Sequence, residues 1–429
     1  MRNSAQTLRP LMKQKIPWAL KSNSGVVRFF WKRAAVFIIV CSCLPSHALS
    51  AEYAEAPKVE SQLTFAMSDT LSLSPNKLGF ESEAYGDWSV QGVATGMAFH
   101  QSNPIVDDAT RYSNFSNAQI LIQKVSGPLQ LFVQSGLYAI PVVGFSYVKP
   151  QQMTQETFGY LPQAFISFVP DANWSVSIGN LPSMGGVEST FTYQNINIQR
   201  ALLWAETNSV SRGLQINHQN GPLKAAVTWN DGAYSNVYNW LGASASWDFS
   251  STDTVSVVWT GALSGTTTNT AVTPLLQNNS QIFNLIYQLS NNRWSLTPYV
   301  QYTYVPENKA IGINGSSDTK GVALLGSYHI APLVDGKAPY VHPSIAARLE
   351  YMASGGNSNV DNIPHGLLYG PGSSAWSATL TPTYQVGKVF ARAELAYVKA
   401  FGYTQGNAFG VNGNNSNQTR IMFEAGLLF

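Results

Sequence analysis

The chain has 429 residues, of which 11% are charged and 12% are aromatic, and its formal net charge is +2. Its mean hydropathy is −0.06, and no stretch beyond the N-terminal segment approaches the ~20 apolar residues of a membrane-spanning helix. These values exclude a helical membrane protein, and the absence of clustered basic residues beyond position 50 excludes a role in nucleic-acid binding.

Residues 1–50 have the composition of a secretory signal peptide. Eight basic residues and no acidic ones are followed by an apolar run from Ala34 to Leu44 and by small residues at Ala48 and Ser50. Removal of this segment leaves 17 basic and 23 acidic residues, a net charge of −6. Both cysteines, Cys41 and Cys43, lie in the segment, so the sequence predicts a mature chain without disulfides or thiol chemistry.

Alternation of apolar and polar residues begins at Trp88 and continues to the end of the chain. Residues 51–87 are weakly patterned, and we interpret them as a periplasmic lead-in with a short helix near Ser61–Thr70. A period of two is typical of β-strands, whose side chains alternate between the two faces of a sheet. The pattern predicts about sixteen strands, at 88–98, 117–124, 129–138, 161–169, 174–181, 213–219, 222–229, 242–249, 255–262, 281–289, 294–305, 321–330, 343–352, 375–386, 388–400 and 418–429.

The connections between these strands alternate between short and long. Asn220-Gly221 is the clearest short turn, because this dipeptide favours a two-residue hairpin. Strict segregation of short turns and long loops is typical of an up-and-down membrane barrel, with its short turns at the periplasmic rim. The predicted fold class is therefore all-β, a transmembrane antiparallel up-and-down β-barrel over residues 88–429. A soluble sandwich is the alternative.

Aromatic residues test the same register. On the faces predicted to point outward, one set of aromatic residues lies beside the short turns and a second set lies toward the long loops, as in the interfacial girdles of membrane barrels. The first set is Phe168, Trp174, Trp247, Phe249, Trp294, Tyr328 and Tyr384, and the second is Trp229, Trp259, Tyr302, Tyr304, Tyr351, Trp376 and Tyr397. Pro298 and Pro382 also lie on outward faces, where we expect a local bulge.

The inward faces are predicted to be mostly Ser, Thr, Asn and Gln, because a barrel of this size is too wide for side chains to fill. Three pairs of charged residues also point inward: Arg348 and Glu350, Arg392 and Glu394, and Arg420 and Glu424. Two interpretations stay open. These lumen wall charges either order ions and polarise a passing solute or neutralise one another as ion pairs that stiffen the wall.

Several motifs resemble a known family. Phe115-Ser116-Asn117, Gly127-Pro128-Leu129, residues 140–144, Gly179–Pro182, Gly185–Glu188 and Trp229–Gly232 are similar to the OmpL-like β-barrel porins of bacterial outer membranes. The terminal Phe429, on an alternating final strand, resembles the assembly signal of outer-membrane proteins. The resemblance covers nearly all of the predicted mature chain and implies a pore, but it identifies no solute.

In general porins the third long loop folds into the lumen and narrows it. Here that loop is the longest connection, 182–212, and Glu188 and Arg200 are the candidates for a pore constriction. The alternative is an exposed surface loop.

Enzymatic motifs are not found. The histidines beyond residue 50 are dispersed, and neither His-Glu-x-x-His nor Gly-x-Ser-x-Gly occurs. No catalytic residue, cofactor or metal site is predicted, although Asp107 and Asp108 could bind a cation loosely.

The leading hypothesis is a non-enzymatic porin for passive diffusion of small hydrophilic solutes, with a slight cation preference from the net negative mature charge. The alternatives are a substrate-selective channel and a non-conducting barrel that acts as an adhesin or structural protein. The expected partners are outer-membrane lipid, the outer-membrane barrel assembly machinery and small hydrophilic solutes, with the choice between monomer and homo-oligomer open.

Overall fold

The computed structural model describes residues 78–82, 86–270, 273–291, 293–330, 341–355 and 367–429. The predicted signal peptide, the helix expected near 61–70 and the connection at 331–340 lie outside these residues. The strands are β1 Leu78–Ser82, β2 Gly86–Gln101, β3 Arg111–Lys124, β4 Leu129–Tyr138, β5 Gln163–Asp171, β6 Trp174–Pro182, β7 Val210–Asn220, β8 Leu223–Asn230, β9 Trp240–Asp248, β10 Asp253–Ala262, β11 Gln281–Ser290, β12 Trp294–Val305, β13 Ser317–His329, β14 Val341–Ser354, β15 Ser374–Val386, β16 Val389–Phe401 and β17 Asn417–Leu428.

Helical structure is confined to the connections in the described part of the chain. The short α-helices are α1 Pro150–Glu156 and α2 Leu275–Asn278, and the 3-10 turns are η1 Thr192–Gln194, η2 Trp204–Glu206 and η3 Lys309–Ile311. None of the helices among the described residues is long and apolar enough to cross a membrane.

Sixteen of the described strands form a closed ring. Each of β2 to β17 pairs antiparallel with its neighbours in sequence, and β17 pairs back with β2 through Arg420↔Gln101 to Leu428↔Val93. The short β1 pairs with the first residues of β2, from Leu78↔Val90 to Ser82↔Gly86. The predicted all-β up-and-down barrel with about 16 strands is confirmed, and β1 is an additional strand that the weak pattern before Trp88 did not indicate.

The last residue closes the seam between β17 and β2. Phe429 and Gly92 exchange two backbone hydrogen bonds, of 2.7 and 3.0 Å. The Phe429 ring covers the position where a side chain would stand on Gly92, since a Cβ built there would lie 2.0 Å from the ring. Glycine at position 92 therefore provides the space for the terminal aromatic ring.

The two faces of the barrel wall differ as the alternation predicts. Phe423, Leu380 and Val300 are 60%, 48% and 47% exposed and point outward. Their positions exclude two stacked sheets with these residues in a dry interior. The girdle aromatics are likewise exposed or half-buried at the two ends of the strands. Apolar side chains on the outside of a closed sheet match a lipid environment.

Pro298 and Pro382 interrupt the ladder without a bulge. The β11–β12 pairing stops at Ile286↔Tyr299 and resumes at Leu289↔Leu296 in the same register. The β15–β16 pairing has the same kind of gap around Pro382. The expected bulges were wrong, because loss of one backbone donor removes hydrogen bonds but inserts no residue.

Candidate functional site

The connection between β6 and β7, residues 183–209, lies inside the ring of strands, and we call it the inner loop. Its two ends are held together, since Ser183 N donates to Ser209 O at 3.1 Å and Thr190 Oγ1 donates to the same carbonyl. Between these ends the loop forms η1 and η2. Its side chains and backbone contact inward-facing residues of β3, β4 and β11 to β17, as described below.

Two apolar clusters dock the inner loop against the wall. Leu202, Leu203 and Val187 pack with inward residues of β10 to β14, such as Tyr299 and Leu325. On another part of the wall, Phe191 and Tyr193 of the loop pack with inward residues of β2 to β5 and β16 to β17, which are Val93, Leu121, Phe132, Phe165, Phe390 and Leu428. The inward face is therefore mixed where the loop docks, although Ser, Thr, Asn and Gln are its commonest residues.

The pair predicted on β14 binds the inner loop. Arg348 donates to Glu188 Oε1 at 2.6 Å and to the carbonyls of Gln199 and Arg200. Glu350 accepts a hydrogen bond from Leu202 N at 3.2 Å and lies 3.4 Å from Arg348 Nε. These contacts position residues 199–202 against β14.

The pair on β16 binds the next part of the loop. Arg392 donates to Asn195 O at 2.9 Å and forms an ion pair with Glu424 of β17. Glu394 accepts hydrogen bonds from the backbone N–H groups of Ile198 and Gln199. Two adjacent loop amides thus share one carboxylate.

The pair on β17 completes the set. Arg420 donates to Gln199 Oε1 at 2.8 Å, and Glu424 accepts from Thr192 Oγ1 at 2.7 Å. Arg420 also donates to the carbonyls of Val142 and Phe145 in the connection between β4 and β5. All six predicted wall charges are at most 4% exposed, and each contacts the inner loop. Among these charges Arg348 pairs with Glu350 and Arg392 with Glu424. Arg420 pairs instead with Asp108, and Glu394 accepts from neutral donors.

Glu188 and Arg200, the predicted constriction residues, are both in the inner loop and both buried. Glu188 accepts from Arg348 and from Ala201 N. Arg200 has no exposed surface, and its guanidinium donates to the carbonyls of Ser189, Phe191, Asn197 and Ile198. Burial lowers the pKa of Arg200 to about 10, and the Glu188 carboxylate opposes this effect. These two side chains therefore fix the course of the loop from within.

The exposed side of the inner loop is neutral. Its half-buried residues are Ser183, Met184, Ser189, Gln194, Ile196, Ala205 and Ser209. On β6 to β10 the inward residues near the short turns are also partly exposed, and most are neutral and polar: Ser175, Asn217, Gln219, Ser244, Ser246 and Thr254. A charged pair, Lys224 and Asp248, joins them with an N–O distance of 2.8 Å.

Sequence reasoning did not predict the contacts of two acidic residues of the interior. Asp108, which the sequence suggested only as a loose cation ligand, lies 3.6 Å from Arg420 and accepts from Gln101 Nε2. Glu206 is buried against β13 and accepts from Thr319 Oγ1. Both lie in connections, where no period relates a residue to its partners, so alternation gave no signal for either contact.

No group of three or more His, Cys, Asp or Glu residues able to hold a metal ion occurs in the described ranges. The ionisable groups of the interior instead contact one another, backbone amides or hydroxyl groups.

Comparison with known proteins identifies the family. The family described as "Putative beta-barrel porin-2, OmpL-like" matches residues 87–429. No curated protein has a significant sequence match to the chain. Among solved structures, in-vitro folded OmpT, an outer membrane protein of Vibrio cholerae, is 11% identical with a TM-score of 0.51, over 82% of this chain and 100% of that chain. The outer membrane channel DcaP of Acinetobacter baumannii is 12% identical with a TM-score of 0.50, over 82% and 99%.

Identities this low show the fold alone, whereas the family match covers most of the chain. The exposed apolar outer face and the closed ring agree with both comparisons. The chain belongs to the OmpL-like β-barrel porin family and is a β-barrel of the bacterial outer membrane, in contact with its lipid.

Proposed function

We propose that this barrel is a porin through which small hydrophilic solutes diffuse passively, along a path between the inner loop and the inward faces of β6 to β10. The observation that carries the proposal is the distribution of charge around the loop. Charged side chains lie on the docked side of the loop, at most 8% exposed, while its partly exposed side is neutral. A neutral polar lining interacts weakly with solutes and suits diffusion without a binding step.

The charge of the docked network supports weak ion selectivity. Five carboxylates (Asp108, Glu188, Glu350, Glu394 and Glu424) accompany four guanidinium groups (Arg200, Arg348, Arg392 and Arg420). The net charge of these nine groups is −1, and each group forms an ion pair or a hydrogen bond. We infer a slight preference for cations, since a small net charge in a confined space biases the local ion concentration.

Planar-bilayer recording tests the proposal. A porin gives step-like currents whose conductance rises with salt concentration without saturation. Liposome swelling with sugars, amino acids and dicarboxylates then ranks the solutes by size. Correctly folded protein without any current would overturn the proposal and leave the non-conducting adhesin or structural barrel.

A substrate-selective channel is the second candidate, and it has one specific observation in its favour. At the rim that bears the long loops, Val143, Leu202, Tyr369 and Phe409 of four different connections belong to one apolar cluster. A crowded entrance favours selection among solutes. Saturation of the current by one solute, or block of ion flow by that solute, would establish this candidate instead.

The constriction residues have an indirect role in the proposal. We infer that Glu188 and Arg200 set the width of the path by fixing the course of the loop. Glu188→Gln and Arg200→Gln should each change single-channel conductance by a factor of about two or more, because each leaves buried partners unsatisfied. Glu307→Gln, at an exposed glutamate paired with Lys309, is the matched control. Wild-type conductance in both loop variants would remove this role.

A further inference from the structure

The two halves of the inner loop are attached by different chemistry. Residues 188–202 are anchored by the ion pairs and charge-assisted hydrogen bonds of Arg348, Glu350, Arg392 and Glu394. Residues 203–208, which we call the C-terminal arm, pack against β12, β13 and α2. There Gln301 donates to Leu203 O at 2.8 Å, and Gln277 donates to Thr207 O at 2.7 Å. Neutral hydrogen bonds of this kind are individually weak.

Glu206 is the ionisable residue of the C-terminal arm, and it is buried against two strands. Its Oε2 accepts a short hydrogen bond from Thr319 Oγ1 of β13. Within the described part of the chain, its Oε1 has no hydrogen-bond partner, and neither has Thr303 Oγ1 of β12. Glu206 and Thr303 are 8% and 1% exposed. A buried carboxylate needs several donors or a cation to balance its desolvation, and a carboxylic acid needs fewer.

Charged groups of the neighbouring strands do not compensate Glu206. Asp318 and Lys320 flank Thr319 on β13, but they occupy the outward positions of that strand and lie 3.5 Å from each other. On β12, Tyr299 is the inward-facing titratable side chain, and it packs in the apolar cluster of the inner loop. A tyrosine carries no positive charge, so none of these groups stabilises an ionised Glu206.

Charged groups of the remaining elements near the arm have other partners. Arg212, next to the Ser211 that binds Asn208, forms an ion pair with Asp231. On β14, Arg348 and Glu350 are engaged with Glu188 and Leu202. Arg200 of the inner loop donates to backbone carbonyls. The connection 263–280, which contains α2, has no Asp, Glu, Lys, Arg or His in its sequence.

We propose that Glu206 is a proton-operated latch that attaches the C-terminal arm of the inner loop to β12 and β13. In the protonated state the carboxylic acid stays buried against Thr319 and Thr303. In the ionised state the carboxylate favours solvent, and the arm moves away from β13, so the path beside the loop changes width. This role of Glu206 goes beyond passive diffusion, because the interior of the barrel becomes sensitive to pH.

The direction of the pH dependence follows from linkage. Burial raises the pKa of Glu206 to about 7, and the hydrogen bond from the Thr319 hydroxyl opposes this effect. In the released arm the carboxyl has its ordinary value near 4.5. Attachment is therefore fully favoured below the ordinary value and is lost as the pH rises through about 7. The ratio of attached to released arm should fall on the order of a hundredfold between pH 5 and pH 9.

Thiol labelling tests the latch without reference to conduction. Thr207 is buried beside Glu206, so Thr207→Cys in a Cys41→Ser, Cys43→Ser chain places a buried thiol within the arm. We expect a small maleimide to label the folded barrel slowly at pH 5 and much faster at pH 9. Glu206→Gln mimics the protonated acid, and the same thiol in that variant should show only its own intrinsic pH profile.

Two further variants keep the test decisive. Thr319→Val removes the donor with little change in shape, so labelling at pH 5 should be faster than in the parent. Glu307→Gln, at an exposed site, should label as the parent does. Identical pH profiles for the parent and the Glu206→Gln variant would overturn the latch. The same series recorded in bilayers rests on the proposed function: a labelling change without current would refute the porin but retain the latch.

Discussion

Arg348 shows how one buried cation organises the interior. It lies between Glu188 and Glu350 with no exposed side-chain surface on any of the three beyond 1%. Such a group is costly to remove, because its partners stay buried without a counter-charge. The sequence placed Arg348 on the inward face through alternation alone. Its partner Glu188 could not be predicted, since the two are 160 residues apart and one of them lies in a loop.

Replacement of Arg348 should release the middle of the inner loop. We expect Arg348→Met to cost about 3–5 kcal/mol of loop docking, since two buried carboxylates lose their cation. The amides of Ala201 and Leu202, which donate to these carboxylates, should exchange with deuterium much faster. Hydrogen-exchange mass spectrometry of the peptide around residue 200 measures this. Lys309→Met, at an exposed ion pair, should leave the exchange unchanged.

Gly92 and Phe429 provide a second test at the scale of single residues. A Cβ on Gly92 would lie 2.0 Å from the Phe429 ring, whereas a Cβ on Gly96 of the same strand meets nothing nearer than 3.8 Å. We expect Gly92→Ala to displace the ring and destabilise the seam by about 1–3 kcal/mol, with Gly96→Ala as the control. The fraction of heat-modifiable, folded barrel on an unheated gel reports the effect. Equal fractions in both variants would show that the ring does not depend on this space.

At the scale of elements, the existence of β2 to β17 was predictable, but β1 and the ends of several strands were not. β3 begins at Arg111 rather than at 117, because a register shift opposite Thr95 and Gly96 breaks the period of two in the residues before Ser116. The turn Asn220-Gly221 was predictable, since Gly221 has φ +54° and favours this conformation. The length of the inner loop suggested that it folds into the lumen. Its contacts could not be derived, because apolar and polar residues do not alternate regularly in it.

The ladder gaps at Pro298 and Pro382 predict that these strands can be stabilised. The register on both sides of each gap is continuous, so a residue with an N–H fits without rearrangement. Pro298→Val and Pro382→Thr should each raise stability by about 0.5–1.5 kcal/mol by restoring one donor. Urea unfolding in detergent measures the change. The two effects should add, because the sites lie on separate strands; unchanged midpoints would show that the gaps have another cause.

At the scale of the whole molecule, one accessible charged pair of the inward faces lies near the short turns. Lys224 and Asp248 keep 50% and 28% of their side chains exposed, while the six wall charges are buried. Ion selectivity should therefore respond to the accessible pair more than to the buried network, since exposed charges act on passing ions. We expect Lys224→Gln to shift the reversal potential toward cations and Asp248→Asn toward anions by several millivolts in a tenfold KCl gradient. Opposite signs would contradict this assignment.

Contacts between residues far apart in sequence affect when the inner loop can dock during folding. Thr192 meets Glu424 and Asn195 meets Arg392, across separations of 232 and 197 residues. Contacts so distant in sequence form late, because the intervening chain must first be ordered. The inner loop cannot dock until the final hairpin is in place. An unfinished barrel should therefore have a mobile loop and unpaired charged side chains in its interior. Docking of the inner loop therefore marks the completed barrel. A cell could distinguish finished from unfinished chains by whether this loop is docked.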